Sequence, residues 1–262
     1  MRIHCQNLSK TYQTLRDQIS ALVDVSFTIE DNEFICIVGP SGCGKSTLLK
    51  IIAGLQEPSS GNIIRDPSNN NERPLNAMVF QEDSLYPWMT VLDNVAFGLE
   101  SQGVGKVERR ERARIFIKKV GLLAFAENYP HELSMGMRQR VGIARAFVAR
   151  PEILLMDEPF GSVDAQTRWI LQEELLKIWS DYRNFVIFVT HDIEEAILLG
   201  DRVLVMSERP GRIREEITIP FDRPRKVSYR ERPEIMEIKW HIWHLLEDGA
   251  RKSAGLASLD TN

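Results

Sequence analysis

The stretch Gly39-Pro40-Ser41-Gly42-Cys43-Gly44-Lys45-Ser46-Thr47 decides the fold. Gly39 and Gly44 enclose four residues and are followed by Lys45 and the hydroxyl of Ser46, which is the pattern of a phosphate-binding P-loop. Backbone N–H groups from Gly42 to Thr47 are expected to cradle phosphates, with Lys45 reaching the terminal ones and Ser46 placing its hydroxyl on Mg2+. The pattern needs a strand before it and a helix after it. Phe34 to Val38 supplies the apolar run, and a helix is expected over Ser46 to Ala53, with Leu48, Leu49, Ile51 and Ile52 packed on a sheet. A second candidate phosphate-binding helix start lies at Leu133-Ser134-Met135-Gly136-Met137-Arg138-Gln139-Arg140. A nucleotide gripped by both would sit between two helix N-termini, an arrangement that suggests two subunits.

Three further apolar runs end at polar residues, as strands of a parallel sheet do when they deliver working residues to one edge. Met78-Val79-Phe80 ends at Gln81, Ile153 to Met156 at Asp157-Glu158, and Val186 to Val189 at Thr190-His191. Asp157 is the metal-side candidate. Glu158, one position further, is placed to polarise an attacking water, because phosphoryl transfer to water needs an oriented nucleophile. His191 is aimed at the same edge. Val23, Val25, Phe27 and Ile29 alternate with polar residues as a half-buried antiparallel strand, and Val203 to Met206 reads as the final strand, giving a mixed α/β sheet.

From Ser84 to Arg150 the pattern becomes helical, an inserted subdomain in which Val107 to Val120 is densely charged and Glu108 to Arg114 reads as a solvated face. Pro67 to Pro74, with Asn69-Asn70-Asn71, reads as an exposed loop. After Pro210 the chain is rich in Arg and Pro, and Ile235, Ile238, Ile242, Trp243 and Leu245 then recur at helical spacing. The expected organisation is a domain over 1–210, with the helical part at about 84–150, and an extension over 211–262 on or beside it.

The net charge of -4 argues against a nucleic-acid protein, which needs a basic face for phosphates. Cys5, Cys36 and Cys43 are odd in number and unclustered, and Met1-Arg2-Ile3-His4 opens without an apolar leader, so the expected compartment is the reducing cytosol, with no disulfide or zinc. Trp240, His241, Trp243 and His244 read as packing or surface residues, not as a metal site. No apolar run approaches the roughly 20 residues of a membrane span, so work at a membrane would require docking on another subunit. Cys43, beside Lys45 and a helix N-terminus, is expected to be a reactive thiol whose alkylation blocks nucleotide binding.

These motifs resemble the ATP-binding subunits of ABC transporters. Leu133-Ser134-Met135-Gly136-Met137 is similar to the family's LSGGQ signature, Gln81 to its Q-loop glutamine and Ile153 to Pro159 to its Walker B segment. Ser162-Val163-Asp164 resembles the D-loop and His191 the switch histidine, while Tyr12, after Leu8-Ser9-Lys10, stands where the family keeps an aromatic that stacks on adenine. The motifs follow the family's order over about residues 1 to 210. Gln81 to Trp88, Met137 to Arg140 and Arg209 to Ile213 resemble the nitrate, sulfonate and taurine importer branch.

The resemblance implies a P-loop NTPase core with a mixed sheet, an antiparallel β subdomain and an inserted helical subdomain. It implies ATP and Mg2+ as cofactors, nucleotide contacts from Tyr12 and Gly39 to Thr47, and a metal held by Ser46, Gln81 and Asp157. Glu158, His191 and Gln81 would be catalytic, and Ser134, Met135, Gly136 and Met137, with Asp164 of the D-loop, would work across a dimer. The pair would be two copies or one copy with a related ATPase. It would serve integral membrane permease subunits and, indirectly, a periplasmic or lipid-anchored solute-binding protein, from the cytoplasmic side of a bacterial plasma membrane. A soluble ABC ATPase without transport, or a P-loop small-molecule kinase, are the alternatives. Met135 departs from the signature's first glycine: a positive φ there would strain it, and a tight fit would narrow the approach to phosphate. Tyr86, Pro87 and Trp88 would either grip a membrane subunit or form ordinary core.

Overall fold

The structure, a computed structural model, describes residues 2–14, 17–66, 74–81, 84–161, 163–182, 184–223, 225, 229 and 232–253. The expected loop at Pro67 to Pro74 lies almost wholly outside them, as does Ser162. In chain order the elements are β1 (Ile3–Gln13), β2 (Gln18–Ile29), β3 (Phe34–Val38), α1 (Lys45–Ile52), β4 (Ser60–Arg65), β5 (Asn76–Val79), α2 (Val91–Ser101) and α3 (Lys106–Lys119). They continue with α4 (Met135–Val148), β6 (Ile153–Asp157), α5 (Ala165–Tyr182), β7 (Phe185–Thr190), α6 (Ile193–Leu199), β8 (Arg202–Met206), β9 (Ile213–Thr218) and α7 (Pro233–Ser253). Two compact units result: Met1–Asn69 with Phe185–Asn262, and Asn70–Asn184.

In the first unit β2, β1 and β4 form an antiparallel sheet in that order. Val25, Phe27 and Ile29 are buried as the alternation predicts, but the next buried residue is Leu22 rather than Val23. The reason is a bulge: Asp24 takes a φ of 54°, and pairing steps from Leu8 opposite Val25 to Lys10 opposite Leu22. Strands β7, β3 and β8 run parallel. Every residue of β3 and β7 is buried, as expected of strands covered on both faces. Strand β8 is not the last: β9 pairs antiparallel with it, Val203 opposite Ile217, which makes this sheet mixed. The alternation Ile213, Glu215, Ile217 was too polar to announce a strand.

The C-terminal residues close over α6. Arg225, 4% exposed, donates to the carbonyls of Ile197, Gly200 and Ile219, and Arg223 donates to that of Leu199. Burial, with neighbouring Arg223 adding to it, pulls the Arg225 guanidinium down to about 10. It stays cationic at neutral pH, solvated by helix-end carbonyls. Helix α7 packs on α6 and β8 through Ile235 and Ile242, whereas Trp243 is 48% exposed and lies off the packing face expected for it.

In the second unit β5 and β6 are a parallel pair, and α2, α3 and α4 pack on one another where the helical subdomain is expected. The charged run of α3 is more than a solvated face. Arg109 pairs with Glu100 of α2 at 2.7 Å, and Arg110 with Asp93 at 3.2 Å, though exposed pairs of this kind add only about 0.2–1 kcal/mol each. The sequence reading assigns no helix after Asp164, yet α5 occupies 18 residues there. Its signal is present in Leu171, Leu175 and Ile178 at helical spacing.

Gly211, in the turn between β8 and β9, bonds β2 on both sides: its N–H donates to Ala21 and its carbonyl accepts from Val23. A Cβ added to Gly211 would lie 2.2 Å from the carbonyl oxygen of Cys43 in the P-loop. Gly211→Ala is therefore expected to destabilise the protein by about 1–3 kcal/mol, read as a lowered denaturation midpoint, with ATP affinity falling alongside.

Candidate nucleotide site

The P-loop begins where β3 ends, and α1 starts at Lys45, one residue before the expected position. Gly44 caps that helix at a φ of 112°, and an added Cβ would come within 2.7 Å of Leu22 and 2.8 Å of the Ala21 carbonyl. Glycine is required there by backbone angle and by space together. Lys45 is 5% exposed, and its Nζ donates to the carbonyls of Gly39 at 2.9 Å and Pro40 at 3.0 Å, tying the far end of the loop to the helix. Ser46 and Thr47 lie in the first turn. The expected reactivity of Cys43 meets a geometric obstacle, because its side chain is turned inward and only 1% exposed. Tyr12 reaches the same end of the loop: its hydroxyl lies 3.2 Å from Thr47 Oγ1 and donates to Gln56 at 2.9 Å.

Strand register explains how His191 joins this group. Val38 of β3 is opposite Thr190 of β7, so Gly39 and His191 leave adjacent strands at one edge. His191 is exposed, on a turn that its neighbours knit together. Thr190 Oγ1 accepts from the Asp192 N–H at 3.0 Å and donates to Glu195, while Asp192 caps α6 by accepting from the N–H groups of Glu194 and Glu195.

The second unit repeats the device. Val79 of β5 is opposite Met156 of β6, so Gln81 and the Asp157-Glu158 pair also emerge side by side. Asp157 is 5% exposed. Glu158 holds a φ of 45°, a left-handed angle that a residue with a long side chain adopts only under constraint from its surroundings. The amide nitrogen of Gln81 lies 3.5 Å from the Glu158 carboxylate. The donors expected for a metal, the Ser46 hydroxyl, the Gln81 amide and the Asp157 carboxylate, are all oxygen-bearing, which suits a hard cation such as Mg2+.

Ser134 caps α4, accepting from the Met137 N–H at 3.3 Å, and Arg138 braces it by donating to the Leu133 carbonyl at 2.7 Å. Met135 is the first residue of the helix, has no positive φ and is 51% exposed, so the strain considered for it is absent. Gly136 lies against Val163, where an added Cβ would be 3.8 Å away, in ordinary contact. Asp164 opens α5, accepting from the Thr167 N–H at 3.0 Å, and this bond holds its carboxyl below the usual range.

Sequence reasoning missed the polar residue that shapes the segment after Gln81. Asn94 is fully buried in α2; its amide donates to the carbonyls of Tyr86, Met89 and Thr90 and accepts from the Tyr86 N–H. The signal was available in Thr90-Val91-Leu92-Asp93, a helix start whose Thr90 side chain accepts from Asp93. Leu85 is buried whereas Trp88 is 70% exposed, so the aromatic segment is not ordinary core. Beside it lies a groove of about 380 Å³ walled by Met78, Phe80, Tyr86, Phe97, Gly98 and Ala149.

Comparison with known proteins gives a consistent result. Residues 22–161 match the family described as ABC transporter. An uncharacterized ABC transporter ATP-binding protein of Methanocaldococcus jannaschii is 47% identical, over 97% of this chain and 94% of that protein. The nitrate import ATP-binding protein NrtD of Synechocystis sp. is 44% identical, over 94% and 95% of the two chains. The bicarbonate transport ATP-binding protein CmpD of Synechococcus elongatus is also 44% identical, over 88% and 83%. Among solved structures, a bacterial ABC transporter cassette in dimeric form aligns with a TM-score of 0.75 and 34% identity, covering 84% of this chain and all of that one. A dimeric post-hydrolysis state bound to ADP and Pi aligns at 0.74 with the same identity and coverage.

Because Met135 is an unstrained helical residue, Met135→Gly relieves nothing. The variant is expected to lower stability by up to about 1 kcal/mol; a raised melting temperature would show that Met135 is strained after all.

Proposed function

The chain belongs to the ABC transporter ATPase family, and from that premise we propose that it powers an importer for a small oxyanion. It is an ATPase, converting ATP and water to ADP and phosphate. The P-loop N–H groups and Lys45 bind the phosphates, and Tyr12 stacks on adenine. Ser46, Gln81 and Asp157 are the oxygen donors that would hold Mg2+ when it is bound, and the ion would neutralise charge on the phosphate oxygens. Glu158 orients the attacking water and takes its proton, Gln81 aligns Glu158, and His191 holds the terminal phosphate.

Two such ATPases, either two copies or this chain with a related one, pair head to tail, as the dimeric cassettes that it resembles support. The N–H groups of Met135 and Gly136 at the start of α4 have no acceptor within the helix, and with Ser134 they complete the partner's site. Asp164 lies on the same interface. The α4 N-terminus then binds phosphate only in the closed pair, so ATP favours closure and hydrolysis releases it.

No helix among the described residues is long and apolar enough to cross a membrane, and the transporter ATP-binding relatives support association through permease subunits. The groove between Tyr86 and Ala149, whose lining also holds Asn76, Ser84, Gln102 and Arg145, suits an amphipathic helix of a permease subunit, and the Trp88 ring lies 5.5 Å from that of Tyr86 beside it. Nitrate and bicarbonate, the solutes in the names of two relatives, are both small monovalent oxyanions. A substrate of that class, delivered by a solute-binding protein on the other side of the plasma membrane, fits best, with this chain on the cytoplasmic side.

The observation that carries the hydrolytic reading is Glu158, held in a left-handed conformation directly after Asp157 with Gln81 3.5 Å from its carboxylate. Glu158→Gln is expected to retain ATP binding while hydrolysis falls by at least about 100-fold; measurable turnover at the parental rate would refute the assignment. Lys45→Ala should instead lose ATP affinity. Gly98→Trp, which fills the groove, is expected to abolish co-purification with co-expressed permease subunits, and undiminished recovery would place the docking site elsewhere.

A further inference from the structure

Helix α6 begins two residues after His191 and is only seven residues long, so whatever fixes its first turn fixes the turn bearing His191. That first turn is gripped from outside. Lys239, in the second turn of α7, places its Nζ 2.5 Å from Glu194 Oε1. Glu194 in turn gives its N–H to the Asp192 carboxylate at 2.9 Å, and Asp192 gives its own N–H to Thr190 Oγ1 at 3.0 Å. A continuous chain of bonded groups therefore runs from Lys239 through Glu194, Asp192 and Thr190 to the residues on either side of His191. Helix stability does not explain the lysine. An ammonium near a helix N-terminus opposes the helix dipole, which Glu194 and Glu195 already satisfy. The backing is firm, because Ile235 and Ile242 bury α7 against the same unit and Arg225 holds the other end of α6.

We propose that Lys239 is a positioning residue for hydrolysis: through Glu194 it holds the His191 turn, which makes the C-terminal helix part of the catalytic apparatus. This rests on the reading of His191 as the residue that holds the terminal phosphate. The pair sits at about one-third exposure, with 35% and 34% of the two side chains accessible, so its removal perturbs a geometry without opening a core.

The test uses the full chain, with kcat and KM for ATP measured for Lys239→Ala, Lys239→Arg, Glu194→Ala, the Lys239→Ala/Glu194→Ala double variant and His191→Ala. Lys239→Ala is expected to lower kcat by about three- to fivefold, the range of a partly exposed ion pair, with KM unchanged. Lys239→Arg should recover the loss, and the double variant should be no slower than either single one, because the two groups act as a unit. Parental kcat in Lys239→Ala, an equal loss in Lys239→Arg, or additive losses in the double variant would each overturn the proposal while the His191 reading stands on the His191→Ala result. Parental hydrolysis in His191→Ala would remove that reading and this inference with it.

Discussion

A loop that binds phosphate with its own N–H groups can spend few of them on holding itself in shape, as the Cys43 N–H does on the Pro40 carbonyl at 3.3 Å. Its conformation has to be imposed from outside, and much of the first unit is arranged to do so. Gly44 presses on Leu22 and Ala21 of β2, Gly39 faces the Cys43 sulfur and Met206, and Gly211 lies against the Cys43 carbonyl. Each approach is closer than a side chain would permit, which is why glycine stands at all three places. Lys45 adds a charged side chain to this packing, and its ammonium bonds the loop's Gly39 and Pro40 carbonyls.

Parallel strands make the same economy possible for side chains. Residues opposite each other in β3 and β7, or in β5 and β6, end at the same level, so the next residue of each strand is delivered to one edge without any bond between the delivered groups. This is why so much of the site was legible in the sequence. Apolar runs of four or five residues leading into Gly39, Asp157 or His191 carry both signals at once, burial and chemistry. What sequence could not show was support from distant residues. Asp24 shifts the register of β2 because Asn7 bonds it across the bulge, a pairing of residues far apart in the chain. Asn94 looks like any polar residue on a helix until the segment before it folds back over it. Met135 posed a question that only a backbone angle answers, and as a helical residue it needs no glycine.

Charge is used in two distinct ways. On α3 the arginines pair with carboxylates in water, where salt and side-chain entropy leave little net gain. At the end of α6, Arg225 is taken out of water and solvated by carbonyls that the helix leaves without partners, while the partly exposed Arg223 divides its donors between the Leu199 carbonyl and the Asp201 carboxylate. The second arrangement is the costlier to break, since removing the cation strands several buried acceptors together.

The placement of the indoles gives the molecule a built-in optical label for the buried face of α5. Of the five tryptophans, Trp179 of the second unit is 2% exposed with its ring N–H bonded to the Asn184 carbonyl, whereas Trp240 and Trp243 of the first unit are about half exposed on α7. An indole shielded from water emits at shorter wavelength and resists soluble quenchers. A quencher added in steps would therefore silence the exposed Trp88, Trp169, Trp240 and Trp243 and leave a residual blue emission from Trp179 alone, an optical report on whether the buried face of α5 stays packed.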